Sequence, residues 1–197
     1  DKEADIEKVI SNSDRIVSIH SEDEDMVRAN MDKFSGSNNP MDHMYIRSPE
    51  AALACTKRAV ALAKKAASQG EVPVGAIVLK GTEVIASSFN KTRQLNDPTA
   101  HAEILALRAA AKILGNYRLP DGLLYTTLEP CPMCAGAILE ARIKTLIFGA
   151  YDIKNGAAGS VYNLVSKNTK IEIIGGVEEA ECGLLLKNFF NQKRKKI

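Results

Sequence analysis

Apolar residues fall along this chain in alternating helical and strand-like runs. Ser48-Pro49-Glu50 reads as a helix start with proline at the first helical position, and an alanine-rich stretch follows to Ala67, ending near Gly70. Val74–Leu79 and Val84–Phe89 are short apolar runs around Lys80-Gly81, the pattern of a hairpin. Asp97-Pro98-Thr99 opens a second predicted helix, which runs to about Leu114 and stops at Gly115-Asn116. Leu123–Thr127 is a short strand, Pro130 opens a third helix to about Glu140, and Thr145–Phe148 is a strand. Ile171–Ile174 adds another strand, and Val177 to about Lys193 forms a last helix. An opening hairpin followed by alternating helices and strands predicts an α/β fold. The expected form is a three-layer α/β/α sandwich around a mixed sheet of about five strands.

Upstream, the pattern weakens. Residues 1–34 carry small apolar clusters that fit short helices around Ile6–Ile10 and Met26–Met31, and a strand around Ile16–Ile19. Ser35-Gly36-Ser37-Asn38-Asn39-Pro40 is a polar linker. Two domains are therefore expected: residues 1–40, an acidic segment that is either fused on or a natural extension, and residues 41–197, one globular domain. Charge divides the chain in a similar place. Residues 1–50 hold 12 acidic and 6 basic side chains, and residues 51–197 hold 12 and 20, so net charges of −6 and +8 hide inside a total of +2. The basic part permits a polyanionic partner without requiring one. No apolar run reaches the ~18 residues of a membrane span, and no secretory signal is visible, so a cytoplasmic protein is expected.

Chemistry concentrates in two short motifs, His101-Ala102-Glu103 and Pro130-Cys131-Pro132-Met133-Cys134. Either alone is weak. A His-x-Glu can be a solvated helix start, and a Cys-x-x-Cys can be a packed cysteine pair or a redox site. The redox reading lacks its usual βαβ context. Together, each at a predicted helix start, they converge on a metal site. Cys131 and Cys134 are one helical turn apart, so both sulfurs can grip one ion, and a helix N-terminus favours thiolate. His101 supplies an imidazole. Three protein ligands leave a fourth tetrahedral position open, which is the catalytic kind of zinc site. Glu103 then stands beside the metal as a proton carrier rather than a ligand. Cys55 and Cys182 read as packing residues.

These motifs and their surroundings resemble the bacterial tRNA-specific adenosine deaminases, within the zinc-dependent cytidine/deoxycytidylate deaminase superfamily. The residues that carry the resemblance are Asp97 to Glu103, Leu128 to Ala137, and Phe148 to Asp152 with Gly156-Ala157-Ala158-Gly159-Ser160. The likeness spans roughly residues 47–195 and leaves residues 1–40 outside. It implies a cytidine-deaminase-like fold, a homodimer, and hydrolytic conversion of the wobble adenosine of a tRNA anticodon stem-loop to inosine. His101, Cys131 and Cys134 would hold Zn2+, and Glu103 would move the proton. Asn90 and the backbone of Ala102 would contact the flipped base, Asp152 the neighbouring ribose, and Phe190, Lys193 and Arg194 the RNA beyond. Plainer roles stay open for several of these: a turn for Asn90, a cap for Asp152, core packing for Phe189, a helix end for the basic tail. Pro132 between the cysteines is also a feature of bacterial guanine deaminases, so a free-base or nucleotide deaminase is an alternative. A non-catalytic zinc-stabilised binding module is another.

Overall fold

The chain divides into two units, Asp1–Ser48 and Pro49–Ile197. The computed structural model describes residues 49–81, 83–165 and 170–194, with side chains from Cys55 onward. The elements expected in residues 1–34 and the boundary expected at 40/41 lie outside the described residues.

Helix α1 (Pro49–Ser68) turns its small residues inward, with Ala59, Ala63 and Ala66 fully buried. The hairpin follows as β1 (Gly75–Lys80) and β2 (Glu83–Phe89). Gly75 is where helix and sheet meet. A Cβ there would lie 2.3 Å from the Ala59 carbonyl oxygen, so only glycine lets α1 settle this close to β1. Next come a short helix α2 (Thr92–Leu95), α3 (Ala102–Leu114), β3 (Gly122–Leu128), α4 (Pro132–Glu140), β4 (Thr145–Ala150), β5 (Glu172–Ile174) and α5 (Glu179–Arg194).

The strands form one mixed sheet in the order β2-β1-β3-β4-β5. β1 runs antiparallel to both neighbours, whereas β3, β4 and β5 are parallel. Ala106 and Ala110 of α3 and Ile138 of α4 close over Ala76, Val78, Leu124 and Leu146 on one face. Val60 of α1 and Cys182 of α5 pack together on the other. The expected three-layer sandwich is present. Its central strands are buried on both sides, which is why β1 and β4 read as unbroken apolar runs.

Register decides where chemistry can gather. Gly75 pairs with Phe89, Ala76 with Thr126, and Thr126 with Phe148. The start of β1 and the ends of β2, β3 and β4 therefore share one edge. Asn90, Cys131 and Asp152 all emerge there, outside the carboxyl ends of the parallel strands.

Three helix starts differ from expectation. α3 begins at Ala102 rather than near Asp97, because Asp97 Oδ1 accepts from the Thr99 N–H at 2.8 Å and from its hydroxyl at 2.7 Å, closing a turn first. α4 begins at Pro132, since the Pro130 carbonyl accepts from the Ala157 N–H at 2.8 Å instead of entering a helix. α5 begins two residues late, after Glu178 in a left-handed conformation at φ 57°. Helix α2 was not expected at all. Its first N–H groups are satisfied from far away, by Glu71, whose side chain accepts from Arg93 N at 2.9 Å, Gln94 N at 2.8 Å and Thr92 Oγ1 at 3.0 Å.

Burial alone would push the Glu71 carboxyl up, but these donors and the Arg93 guanidinium outweigh it and hold it below its ordinary 4.5. A depressed carboxylate stabilises the fold above its unfolded value and loses that contribution as pH falls through the folded one. Glu71→Gln should therefore lower unfolding free energy by about 1–3 kcal/mol at neutral pH. The gap to wild type should narrow below pH 4.5 in urea titrations. A gap that is constant with pH would mean the charge is irrelevant there.

Candidate active site

His101 and Cys131 occupy the N-cap positions of α3 and α4, yet neither side chain caps its helix. An N-cap residue normally spends its side chain on the orphan N–H groups of the first turn. In α3 that task passes to Asn90, whose Oδ1 accepts from the Ala102 N–H at 2.8 Å across 12 residues of sequence. In α4, Pro132 at the first position removes one orphan donor outright. Both side chains are thus free to turn toward each other. His101 Nδ1 lies 3.7 Å from Cys131 Sγ and 3.5 Å from Cys134 Sγ. The three possible ligand atoms all lie within 4.8 Å of one another.

Proton distribution follows from this crowding. Two adjacent sulfurs cannot both be charged without a cation between them. Cys134, fully buried, gives its hydrogen bond to Cys131, and that bond and burial hold its thiol well above the usual range. Cys131 receives the bond, sits at a helix N-terminus beside His101, and is pulled down to about 4. His101 is raised, chiefly by its hydrogen bond to Cys131. The metal-free site is therefore one thiolate and one thiol beside a histidine that holds its proton more tightly than usual. A soft divalent ion such as zinc would displace the remaining thiol proton and accept a nitrogen and two sulfurs, so the donor set fits it. Glu103, the second residue of α3, is only 4% exposed, and burial pushes its carboxyl up to about 7.

Other expected site residues fall around this centre in different ways. Ala102 is fully buried, and its N–H is committed to Asn90. Asn90 is buried, and what it can offer a ligand is its amide nitrogen, the oxygen being in use. Asp152 is half-buried, and its Oδ1 accepts from the N–H groups of Lys154 at 2.9 Å and Asn155 at 3.1 Å, so the turn-cap role is present. Phe190 is 44% exposed and meets the half-buried Phe189 edge to face, at 5.4 Å between ring centroids. Arg194 folds back along α5, to the Phe190 carbonyl and the Asn191 side chain. Lys193 instead extends over Phe189 and toward Gly70.

Glu129 is a residue to which sequence reasoning assigned no role. Its carboxylate, 1% exposed, accepts from the N–H groups of Asp152 and Ala158 at 3.0 Å and of Ser160 at 3.1 Å, and from the Ser160 hydroxyl. It thereby fixes the loop 152–160 against the segment that carries Cys131. Gly156 must be glycine for the same reason, since a Cβ there would fall 2.3 Å from Glu129 Oε2. The signal available in sequence was an acid between a strand and a proline, which does not reveal that it is buried.

A nitrogen and two sulfurs converging beside a buried acid equip a hydrolytic enzyme, one that needs an activated water and a proton carrier. Residues 50–194 match the MafB19-like deaminases, and the chain belongs to that family. The tRNA-specific adenosine deaminase of Bacillus subtilis (strain 168) is 45% identical over 143 residues, 71% of this chain and 89% of that protein. The tRNA-specific adenosine deaminase of Haemophilus influenzae is 48% identical over 140 residues, 69% of this chain and 81% of that protein. A solved structure from a study of A-to-I editing by tRNA:A34 deaminases at the wobble position superimposes with a TM-score of 0.66. It is 44% identical and covers 68% of this chain and 99% of that one.

Two measurements test this geometry. Adding zinc to metal-free protein at pH 7 should release about one to two protons per ion, from Cys134 and the raised His101, by calorimetry in buffers of different ionisation enthalpy. No release would contradict the thiol–thiolate pair. Separately, Gly156→Ala should destabilise wild type more than it destabilises a Glu129→Ala background, because both changes act on one contact. Additivity within about 0.5 kcal/mol in urea unfolding would show that the two residues are independent.

Proposed function

We propose that this chain is a zinc-dependent tRNA adenosine deaminase, which hydrolyses the wobble adenosine of an anticodon to inosine with release of ammonia. The observation that carries the reading is the buried Glu103 carboxyl beside a three-ligand cluster. A structural metal site would normally supply a fourth Cys or His, and would have no use for a buried acid. The names of the relatives support an RNA adenosine over free guanine.

His101, Cys131 and Cys134 would hold the zinc, which when bound supplies an acidified water as nucleophile. Glu103 does the remaining proton work. As carboxylate it takes the proton of the attacking water. As acid it protonates the purine N1 while oxygen adds to C6; it then takes the proton of the new C6 hydroxyl and passes it to the amine, so that C6=O forms as the C6–N bond breaks and ammonia leaves. Burial, which raises the Glu103 carboxyl in the metal-free site, favours a group that can give a proton as well as take one. Asn90 is held by its own bond to α3 and would present its amide to the base. The base must leave its stack to reach the cluster, and an anticodon loop offers it unstacked at little cost.

The reading carries three further expectations: a cytoplasmic location, a deaminase domain starting near residue 41 with residues 1–40 appended, and a homodimer. Among the described residues no helix is long and apolar enough to cross a membrane. Met133, Val161, Tyr162 and Leu164 are apolar, 36–48% exposed, and lie on α4 and the chain after the 152–160 loop, which supports a second copy covering them.

An anticodon stem-loop with adenosine at the wobble position should yield inosine on incubation with the protein. Glu103→Gln should retain zinc and RNA binding but lose at least about 10²–10⁴-fold in turnover. Cys134→Ser should lose the metal itself. A Glu103→Gln enzyme within tenfold of wild type, or turnover of free guanine without any of RNA, would overturn the reading.

A further inference from the structure

Four cations from three separated parts of the chain converge beside Asn90. Lys91 follows it directly, with its Nζ 4.9 Å from the Phe89 ring centroid, and Lys65 from the end of α1 reaches the same ring at 5.2 Å. Arg93 donates from Nη1 to the Gly70 carbonyl at 3.1 Å. Lys193 arrives from the last turn of α5, so that a Cβ built on Gly70 would lie 3.4 Å from Arg93 Nη1 and 4.0 Å from Lys193 Nζ. Glu71, beside Arg93, is buried, and its carboxylate is already engaged by the N–H groups and hydroxyl of α2 as well as by the Arg93 charge. The ion pairs among the described residues, Lys64–Glu181 and Lys144–Asp121, involve none of the four.

Gathering like charges costs stability, and a ring face or the one buried carboxylate of Glu71 offsets only part of it. The arrangement therefore points outward, to a polyanion. We infer that Lys65, Lys91, Arg93 and Lys193 form a phosphate-binding row that carries the RNA backbone away from the site across the ends of α1, α2 and α5. The inference rests on the tRNA reading above and adds the path of the substrate. RNA fits better than an acidic protein because the row begins at Asn90, on the edge of the sheet where the reacting base must enter. A strand whose base reaches Glu103 has phosphates on either side of it, and one side must cross this row.

The test uses the zinc-loaded protein and an anticodon stem-loop, with binding followed by fluorescence anisotropy over about 50–200 mM salt. The triple variant Lys65→Gln, Lys91→Gln, Arg93→Gln removes three exposed or half-buried cations. It should flatten the slope of log affinity against log salt by about 2.1–2.7, at 0.7–0.9 per contact, and weaken binding at low salt by tenfold or more. A control triple, Lys80→Gln, Lys112→Gln, Lys144→Gln, has the same net charge but sits at the far ends of the hairpin, α3 and the β3–β4 pair. It should keep the wild-type slope. Zinc content and melting curves confirm folding, and if the triple variant does not fold, the single variants Lys65→Gln and Arg93→Gln should each flatten the slope by about 0.7–0.9. If wild type binds and edits RNA while the variants keep its affinity and slope, or the control loses as much, the row is not the RNA path. Wild type that neither binds nor edits RNA would instead remove the tRNA reading and the row with it.

Discussion

Helix N-termini leave N–H groups without partners, and this site is organised by how those groups are satisfied. The residues at the N-caps of α2, α3 and α4 are Lys91, His101 and Cys131, and none of them caps its own helix. Side chains distant in sequence do so for the first two: Glu71 for α2 and Asn90 for α3. Because the capping is outsourced, an imidazole and a sulfur occupy positions aimed past the helix ends, at one edge of the sheet. Had a serine or aspartate capped α3 in the usual way, His101 could not stand there.

The same device sets the loop after β4. A connection of this kind would ordinarily sample several conformations, since few of its backbone groups can pair within it. Glu129 gathers three of its N–H groups onto one carboxylate, and Ala157 is tied to the Pro130 carbonyl next door. The loop and the cysteine segment become one piece. Asp152 therefore holds a fixed place relative to Cys131, although they come from different strands. Rigidity of this kind is what preorganisation requires, since a group loose by an ångström gives up much of the rate it could supply.

How much of this was legible beforehand follows from interaction range. Helices and strands with several residues of consistent pattern were readable, because burial imposes its period on sequence. The pairing of His101 with Cys131 and Cys134 was readable too, because metal ligation demands particular side chains at particular spacings. Helix α2 and the true starts of α3 and α4 were not, since they depend on Glu71, on the Asp97–Thr99 turn, and on Pro130 giving its carbonyl to Ala157. Nothing in a Glu-Val-Pro or a Leu-Glu-Pro string says that the acid is buried and collects donors from 20 or 30 residues away. Lys65 and Lys193 belong with these, since only the fold reveals that they face one another's neighbours.

Charge ties the two halves of the site together. Inside, the cluster and Glu103 hold protons whose positions are set by partial or full burial and by a handful of hydrogen bonds. Outside, the basic side chains stand in solvent, where each is worth little alone and is screened by salt. The first arrangement gives chemistry its strength, because burial raises the Glu103 carboxyl while fixed hydrogen bonds from Cys134 and His101 keep the Cys131 sulfur ionised against its own desolvation. The second acts over longer distances and only in number. A nucleobase by itself, carrying no phosphate, would be served by the inner set alone. Cations assembled from α1, α2 and α5 beside that inner set make sense for a substrate that brings a charged backbone along with the base to be changed.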